Sequence, residues 1–190
     1  MKYLELLFAF SMVFCVFGAM AIADNHQQDV QQQAGAMGAP PEMKECRMLI
    51  GDWDVVQKWK MDPTSDEWMT EEGTSTFEYA LDGATVIQHF ESQMMGMPFA
   101  GLGMTCFNRE TGMWQTSWVD NMGAQIMLME GDMHDDKMVL DGTGLWNGQK
   151  YWARVSFYNM TDDRFEWSYE MSMDGKNFVQ TGHMVYSKKK

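Results

Sequence analysis

The sequence predicts an all-β fold, a single antiparallel up-and-down β-barrel of about ten strands entered through a short N-terminal helix. Three observations carry that expectation. Runs in which apolar and polar residues alternate recur from about residue 50 to the end, at roughly the 8–12-residue spacing of a sandwich or barrel. Turn-forming pairs separate the runs, several of them suited to the positive φ of tight hairpins. The 190 residues are 45% hydrophobic and 13% aromatic with 8 Trp, a composition that goes with a buried core rather than with disorder.

The first 23 residues read as an export signal. Lys2 precedes an apolar run from Leu6 to Ile22, and Ala21-Ile22-Ala23 supplies small residues where a signal peptidase reads, so cleavage is expected after Ala23. Glu5 offsets Lys2, and the run is near the length of a membrane anchor; with the signal removed, no stable membrane insertion is expected. Cys15 follows the bulky Phe14, so it reads as apolar filler rather than as a lipidation site. Asp24 to Pro41 is rich in Gln, Ala and Gly and lacks apolar period, as a flexible spacer does. The globular domain is therefore expected over 42–190. It begins with a helix from Glu42 to Met48 that places Met43, Cys46 and Leu49 on one face and plugs one barrel end.

Ten strands follow: Ile50 to Met61, Trp68 to Ala80, Ala84 to Met94, Phe99 to Asn108, Met113 to Asp120, Ala124 to Asp132, Lys137 to Trp146, Gln149 to Tyr158, Arg164 to Met173, and Asn177 to Ser187. Between them lie Asp82-Gly83, Thr111-Gly112, Asn121-Met122-Gly123, Asp135-Asp136, Asn147-Gly148, Asp162-Asp163 and Asp174-Gly175. The ninth strand shows the period most clearly, with Phe165, Trp167, Tyr169, Met171 and Met173 on one face and Glu166, Ser168, Glu170 and Ser172 on the other. Consecutive hairpins with one polar face favour closure, which removes aggregation-prone edges. A Greek-key sandwich is the alternative, but it needs longer crossing loops than most of those here.

Leu49-Ile50-Gly51-Asp52-Trp53 resembles the Gly-x-Trp opening of lipocalin-type barrels. Further on come Pro98-Phe99-Ala100-Gly101-Leu102-Gly103, Asn108, Thr111-Gly112, Trp114, Trp118-Val119-Asp120-Asn121-Met122-Gly123, Gly131-Asp132 to Gly142, Asp174-Gly175-Lys176 and Val185-Tyr186-Ser187-Lys188. Together these residues, from about Leu49 to the end, resemble the bacterial family called domain of unknown function 1579. That resemblance implies an exported, calycin-like barrel and carries no activity onto particular residues. The chain departs from the family pattern at Cys106-Phe107-Asn108, and Lys188 stands where an Arg is common.

The formal net charge of −13 repels phosphate backbones, so nucleic acid is not an expected partner. No Gly-x-Ser-x-Gly, His-Glu-x-x-His, phosphate loop or Cys-x-x-Cys occurs. An enzyme of spatially gathered residues would be sought first at His89, Glu91 and Arg154. Gly51 and Trp53 read as structural, Trp53 plugging the closed end beside a close approach at Gly51. Arg154 alternates with Trp152, Ser156 and Tyr158, a face suited to clamping an anionic headgroup if it points inward. Tyr151, Ala153, Val155 and Phe157 would serve equally well inside, and burial preference favours that placement. Trp118 shares a face with Asp120, which also suits capping of the Asn121-Met122-Gly123 turn.

His89 and His183 lie within strands, and an inward imidazole could hold haem. The 22 Met include Met94, Met95 and Met97, soft ligands of the kind that select Cu(I), although Met also serves as adaptable core filler. The acidic turn Asp132, His134, Asp135, Asp136 lacks the ligand spacing of a calcium loop and reads as a solvated hairpin tip. Cys46 and Cys106 are either a disulfide, worth about 4 kcal/mol in the chain-entropy model, or two free thiols. The leading expectation is a barrel that binds a small apolar or amphipathic molecule in its lumen through residues drawn from Arg154, Trp152, Tyr158, His89, His183 and Trp118, with no required cofactor. A haem- or copper-handling protein, or an enzyme on the same barrel, is the alternative, and the oligomeric state is open.

Overall fold

The computed structural model describes residues 38–190; the expected export signal and nearly all of the spacer lie outside the described residues. A 3-10 helix, Pro41–Met48, leads into ten antiparallel strands: β1 Gly51–Trp59, β2 Met69–Ala80, β3 Thr85–Met94, β4 Met97–Asn108, β5 Met113–Asp120, β6 Met127–His134, β7 Lys137–Trp146, β8 Gln149–Tyr158, β9 Arg164–Ser172 and β10 Val179–Lys188. Each strand pairs with its sequence neighbours, and β1 also pairs with β10, so the sheet closes into an up-and-down barrel. Val55 opposite Tyr186 and Trp53 opposite Lys188 fix the closing register. Closure leaves no unpaired edge, as the run of short hairpins predicts.

The 3-10 helix plugs the end at which β1 starts. Its core-facing residues Met43 and Cys46, with the following Leu49, are spaced by three, which is the repeat of a 3-10 helix. Tyr79 Oη donates to the Met43 carbonyl at 2.9 Å and ties the plug to β2. Below it Trp53 is fully buried, donates through Nε1 to the Leu49 carbonyl at 2.7 Å, and meets Phe165 edge-on at 4.7 Å. The Phe165 ring in turn stacks on Tyr186 with centroids 4.1 Å apart. Gly51 adopts φ +127°, and a Cβ there would stand 2.9 Å from Lys188 Cε. That space lets Lys188 reach across the Trp53 ring, at 5.0 Å, and donate to the Ile50 carbonyl at 2.7 Å. The Gly-x-Trp opening is thus a packing device, completed by an ammonium acting as a single donor, with no need for a bidentate guanidinium.

Several strand bounds differ from the sequence expectation, and three of the differences have a local cause. Residues 124–126 belong to the β5–β6 connection instead of β6, because Ala124 takes φ 47° and donates its N–H to the Asp120 carbonyl at 3.0 Å. Strand β4 starts at Met97, two residues early, since Met95 and Gly96 at φ 56° and 75° make the whole β3–β4 turn. The dry face of β9 stops short of Met173, which is exposed, while Ser172, opposite Trp152 on the outer face, is buried there by the following turn, bonding Asp174 and accepting from the N–H of Gly175.

Candidate functional site

Apolar alternation aims one face of every strand inward, yet the inward side chains fill the two ends of the barrel unequally. At the helix end Trp53, Phe77, Phe165 and Tyr186 pack into a solid core. Towards the other end they stand apart around a cavity of about 360 Å³, within the size range of small-molecule sites. One wall is Trp59 from β1 with Trp167 and Tyr169 from β9, their centroids 5.7 to 6.0 Å apart. The other is Phe90, Phe99 and Trp118 from β3, β4 and β5, linked by edge-on contacts of 5.9 and 6.2 Å. Thioethers of Met94, Met122, Met127, Met129 and Met184 line the space between.

Local sequence explains how the walls stand. The Trp118 indole lies across β4 over Gly101, where any Cβ would collide with its ring, and near Gly103; the Gly-x-Gly of β4 exists to seat this tryptophan. Trp118 Nε1 donates to Asp120 Oδ2 at 3.0 Å, while Oδ1 accepts from the N–H of Met122 at 3.0 Å and of Gly123 at 2.7 Å. Asp120 therefore both caps the β5–β6 turn and orients the indole. On the opposite wall a bulge in β10 at Thr181 brings Gly182 under the Trp59 ring. Trp59 Nε1 donates to Gln57 Oε1 at 3.0 Å, and the buried Gln57 amide donates to Ser92 Oγ at 2.6 Å and to the Gln93 carbonyl at 3.0 Å. Tyr169 Oη donates to Tyr151 Oη at 3.2 Å, and burial pushes the Tyr169 phenol far above its ordinary range. Every buried polar side-chain atom among the described residues is hydrogen-bonded. The surface left unfilled is mostly apolar.

Of the residues expected to bind a ligand, Trp118 alone lines this cavity. In β8 Tyr151, Ala153, Val155 and Phe157 take the inward face, as burial preference favours, so the ligand-binding reading of Arg154, Trp152 and Tyr158 is corrected: all three lie on the outer face, where Ser156 is also buried. Arg154 forks onto Asp141 of the neighbouring strand, Nε to Oδ1 at 2.7 Å and Nη2 to Oδ2 at 3.0 Å, and its guanidinium covers Phe178 at 4.4 Å. A cross-strand carboxylate and a half-buried ring thus satisfy it outside the barrel. Trp152 packs its ring near Gly175 under Lys150.

The imidazoles are corrected likewise. His89 is exposed with Glu78 at 3.9 Å, and His183 bonds Glu166 Oε2 at 3.0 Å on the outer face, so neither presents a nitrogen to the lumen for a haem iron. The structure does bring His183 and Tyr158 together, in an outer groove with Lys58, Trp68, Thr70 and Gln180. Glu91 is exposed, and none of His89, Glu91 and Arg154, the grouping sought for catalysis, lines the cavity. Cys46 and Cys106 are free thiols. Cys46 faces the core beneath the plug, whereas Cys106 follows Thr105 on the alternate, outer face of β4, so the sheet separates the pair. Burial pushes the Cys46 thiol up to about 12.

The methionine run is split: Met94 points into the cavity, while Met95 and Met97 are exposed at the turn. The acidic turn is a hairpin tip between β6 and β7 with Asp135 at φ 55°, and no group of three His, Cys, Asp or Glu able to hold a metal occurs among the described residues. Sequence reasoning did not name Trp59, Phe90, Phe99, Trp167, Tyr169 or the lining methionines as ligand-binding residues, and singled out Met94 only as a soft metal ligand. The signal was the strand parity itself, already visible for Trp167 and Tyr169 in β9.

A family model described as "Protein of unknown function (DUF1579)" matches residues 41–188. Among solved structures the chain is similar to that of Rv2717c from M. tuberculosis, at 15% identity and a TM-score of 0.60, covering 80% of this chain and 99% of that one; the likeness shows the fold. A redesigned β-barrel matches at 12% identity and a TM-score of 0.43 over 77% and 96% of the two chains. EF1p2_mFAP2b bound to DFHBI matches at 11% identity and a TM-score of 0.44 over 77% and 98%. No curated protein matches the chain.

Proposed function

Because the chain belongs to the DUF1579 family, whose description assigns no function, its role must be argued from its own lumen, and we propose that it binds a small, largely apolar molecule there. The observation that carries this reading is the aromatic- and thioether-walled cavity of about 360 Å³ at the end of the barrel opposite the plug. A core with no role beyond stability closes to crystal-like density, as this one does around Trp53. At the other end Gly101, Gly103 and Gly182 and a set of satisfied hydrogen bonds hold large rings against the walls and leave the middle open. Methionine suits such a surface because its unbranched, polarisable side chain adapts to the shape of an occupant.

The reading includes export, supported by Lys2, the apolar run to Ile22 and the small residues Ala21 and Ala23. Native mass spectrometry of protein purified from its own host without detergent tests both parts. The expected result is a chain beginning at Asp24 that carries an additional small mass, lost on unfolding. A bare protein under conditions that preserve the fold removes the support for ligand binding, and a chain retaining residues 1–23 removes that for a cleaved signal.

A further inference from the structure

The cavity contains one charged side chain, and it is an acid. None of the described lining residues is Lys, Arg or His, and Asp120 stands where β5 runs out towards the open end. Its carboxylate is held in place: Oδ1 by the N–H groups of Met122 and Gly123, Oδ2 by the Trp118 indole. An ionised carboxylate offers about four lone-pair sites, so Oδ2 retains acceptor capacity beside the indole. Trp118, Phe90 and Phe99 on one wall and Trp59, Trp167 and Tyr169 on the other are aromatic rings, a class of side chain whose π-system attracts cations. The loops at this end add Asp62, Asp66, Glu67 and Asp174 against Lys60 and Lys176, on a chain whose formal net charge is −13. Such a field concentrates cations at the mouth. An anion entering would lose its hydration with no cation to meet it, which is costly.

Resting on the lumen-binding reading, we propose that the ligand is a cationic amphiphile, an amine or quaternary ammonium compound whose apolar part fills the cavity and whose positive group sits at Asp120 beside Trp118. Selection by charge then follows from the lining itself: an apolar body is accepted by every wall, and only the sign of the head group distinguishes one amphiphile from another. Asp120 serves as an anchor already oriented before the ligand arrives, so little ordering is needed on binding.

The test compares three chain-matched probes, decyltrimethylammonium, decanol and decanoate, each below its micellar concentration at neutral pH, followed by the fluorescence of the lining tryptophans. The expected order is decyltrimethylammonium tightest, by about tenfold over decanoate, with decanol between them. Raising the ionic strength should weaken decyltrimethylammonium and leave decanol nearly unchanged. Asp120→Asn, which keeps one oxygen for the Met122 and Gly123 N–H groups, should lower the ratio of decyltrimethylammonium to decanol affinity several-fold. Decanoate binding as tightly as decyltrimethylammonium, or a salt-independent decyltrimethylammonium affinity, overturns the charge selection while leaving lumen binding in place. If none of the three binds, the lumen-binding reading fails and this inference falls with it. The salt series uses the unaltered protein, so the outcome does not depend on the variant folding.

Discussion

Single residues here act through what the backbone allows beside them. Trp53 lies wholly out of water, its one N–H satisfied by Leu49 and its face covered by Lys188. Trp53→Ala should therefore cost about 3–5 kcal/mol in chemical denaturation. Gly51→Ala, forced to φ +127° against the Lys188 stem, should cost about 1–3 kcal/mol. On the outer face the hydrogen bond from His183 holds the Glu166 carboxyl below the usual carboxylate range, with Asn159 and Arg164 adding to the effect. A depressed folded value means that this stabilisation is fully present above the unfolded carboxylate value and is lost as pH falls through the folded one. Glu166→Gln should lower stability by about 1 kcal/mol at neutral pH. The gap to the wild type should narrow on acidification; a gap constant with pH would contradict the assignment.

At the scale of elements, alternation fixed which strands form but left the inward face open wherever both faces of a strand are apolar or aromatic. In β9 the carboxylates and serines of one face point out to Tyr169 as the pattern requires. In β8 both faces bear aromatic residues, and the choice fell on the face without Arg154 because Asp141, directly opposite in β7, satisfies the guanidinium outside. A cross-strand partner is invisible until register is known, which is why the inward face of β8 stays open in the sequence between Arg154, Trp152 and Tyr158 and the alternate set, whereas the dry face of β9 already carries Trp167 and Tyr169. The plug was more legible, since the three-residue spacing of Met43, Cys46 and Leu49 survives as a 3-10 repeat. Its Cys46 is sealed from Cys106 by the sheet. Alkylation of the unfolded, unreduced protein should label both residues, and in the folded protein Cys46 should react far more slowly than Cys106. Recovery of a Cys46–Cys106 crosslink would contradict this separation.

The barrel as a whole divides along its axis. One half is a solid core under a helical plug; the other holds aromatic and thioether walls apart around a space open at the rim, with Asp120 as its charged member. Closure of β1 on β10 makes that division stable, because every strand is paired and the walls need no filling to preserve the sheet. The central claim is that this space binds a small apolar molecule. The most direct measurement is titration with the neutral fluorophore N-phenyl-1-naphthylamine of the wild type, Met127→Trp, which places an indole in the cavity, and Arg154→Ala on the outer face. The account predicts saturable binding at one site, about tenfold weaker in Met127→Trp and unchanged in Arg154→Ala. No saturable binding to the wild type, or equal binding by a folded Met127→Trp, would contradict it.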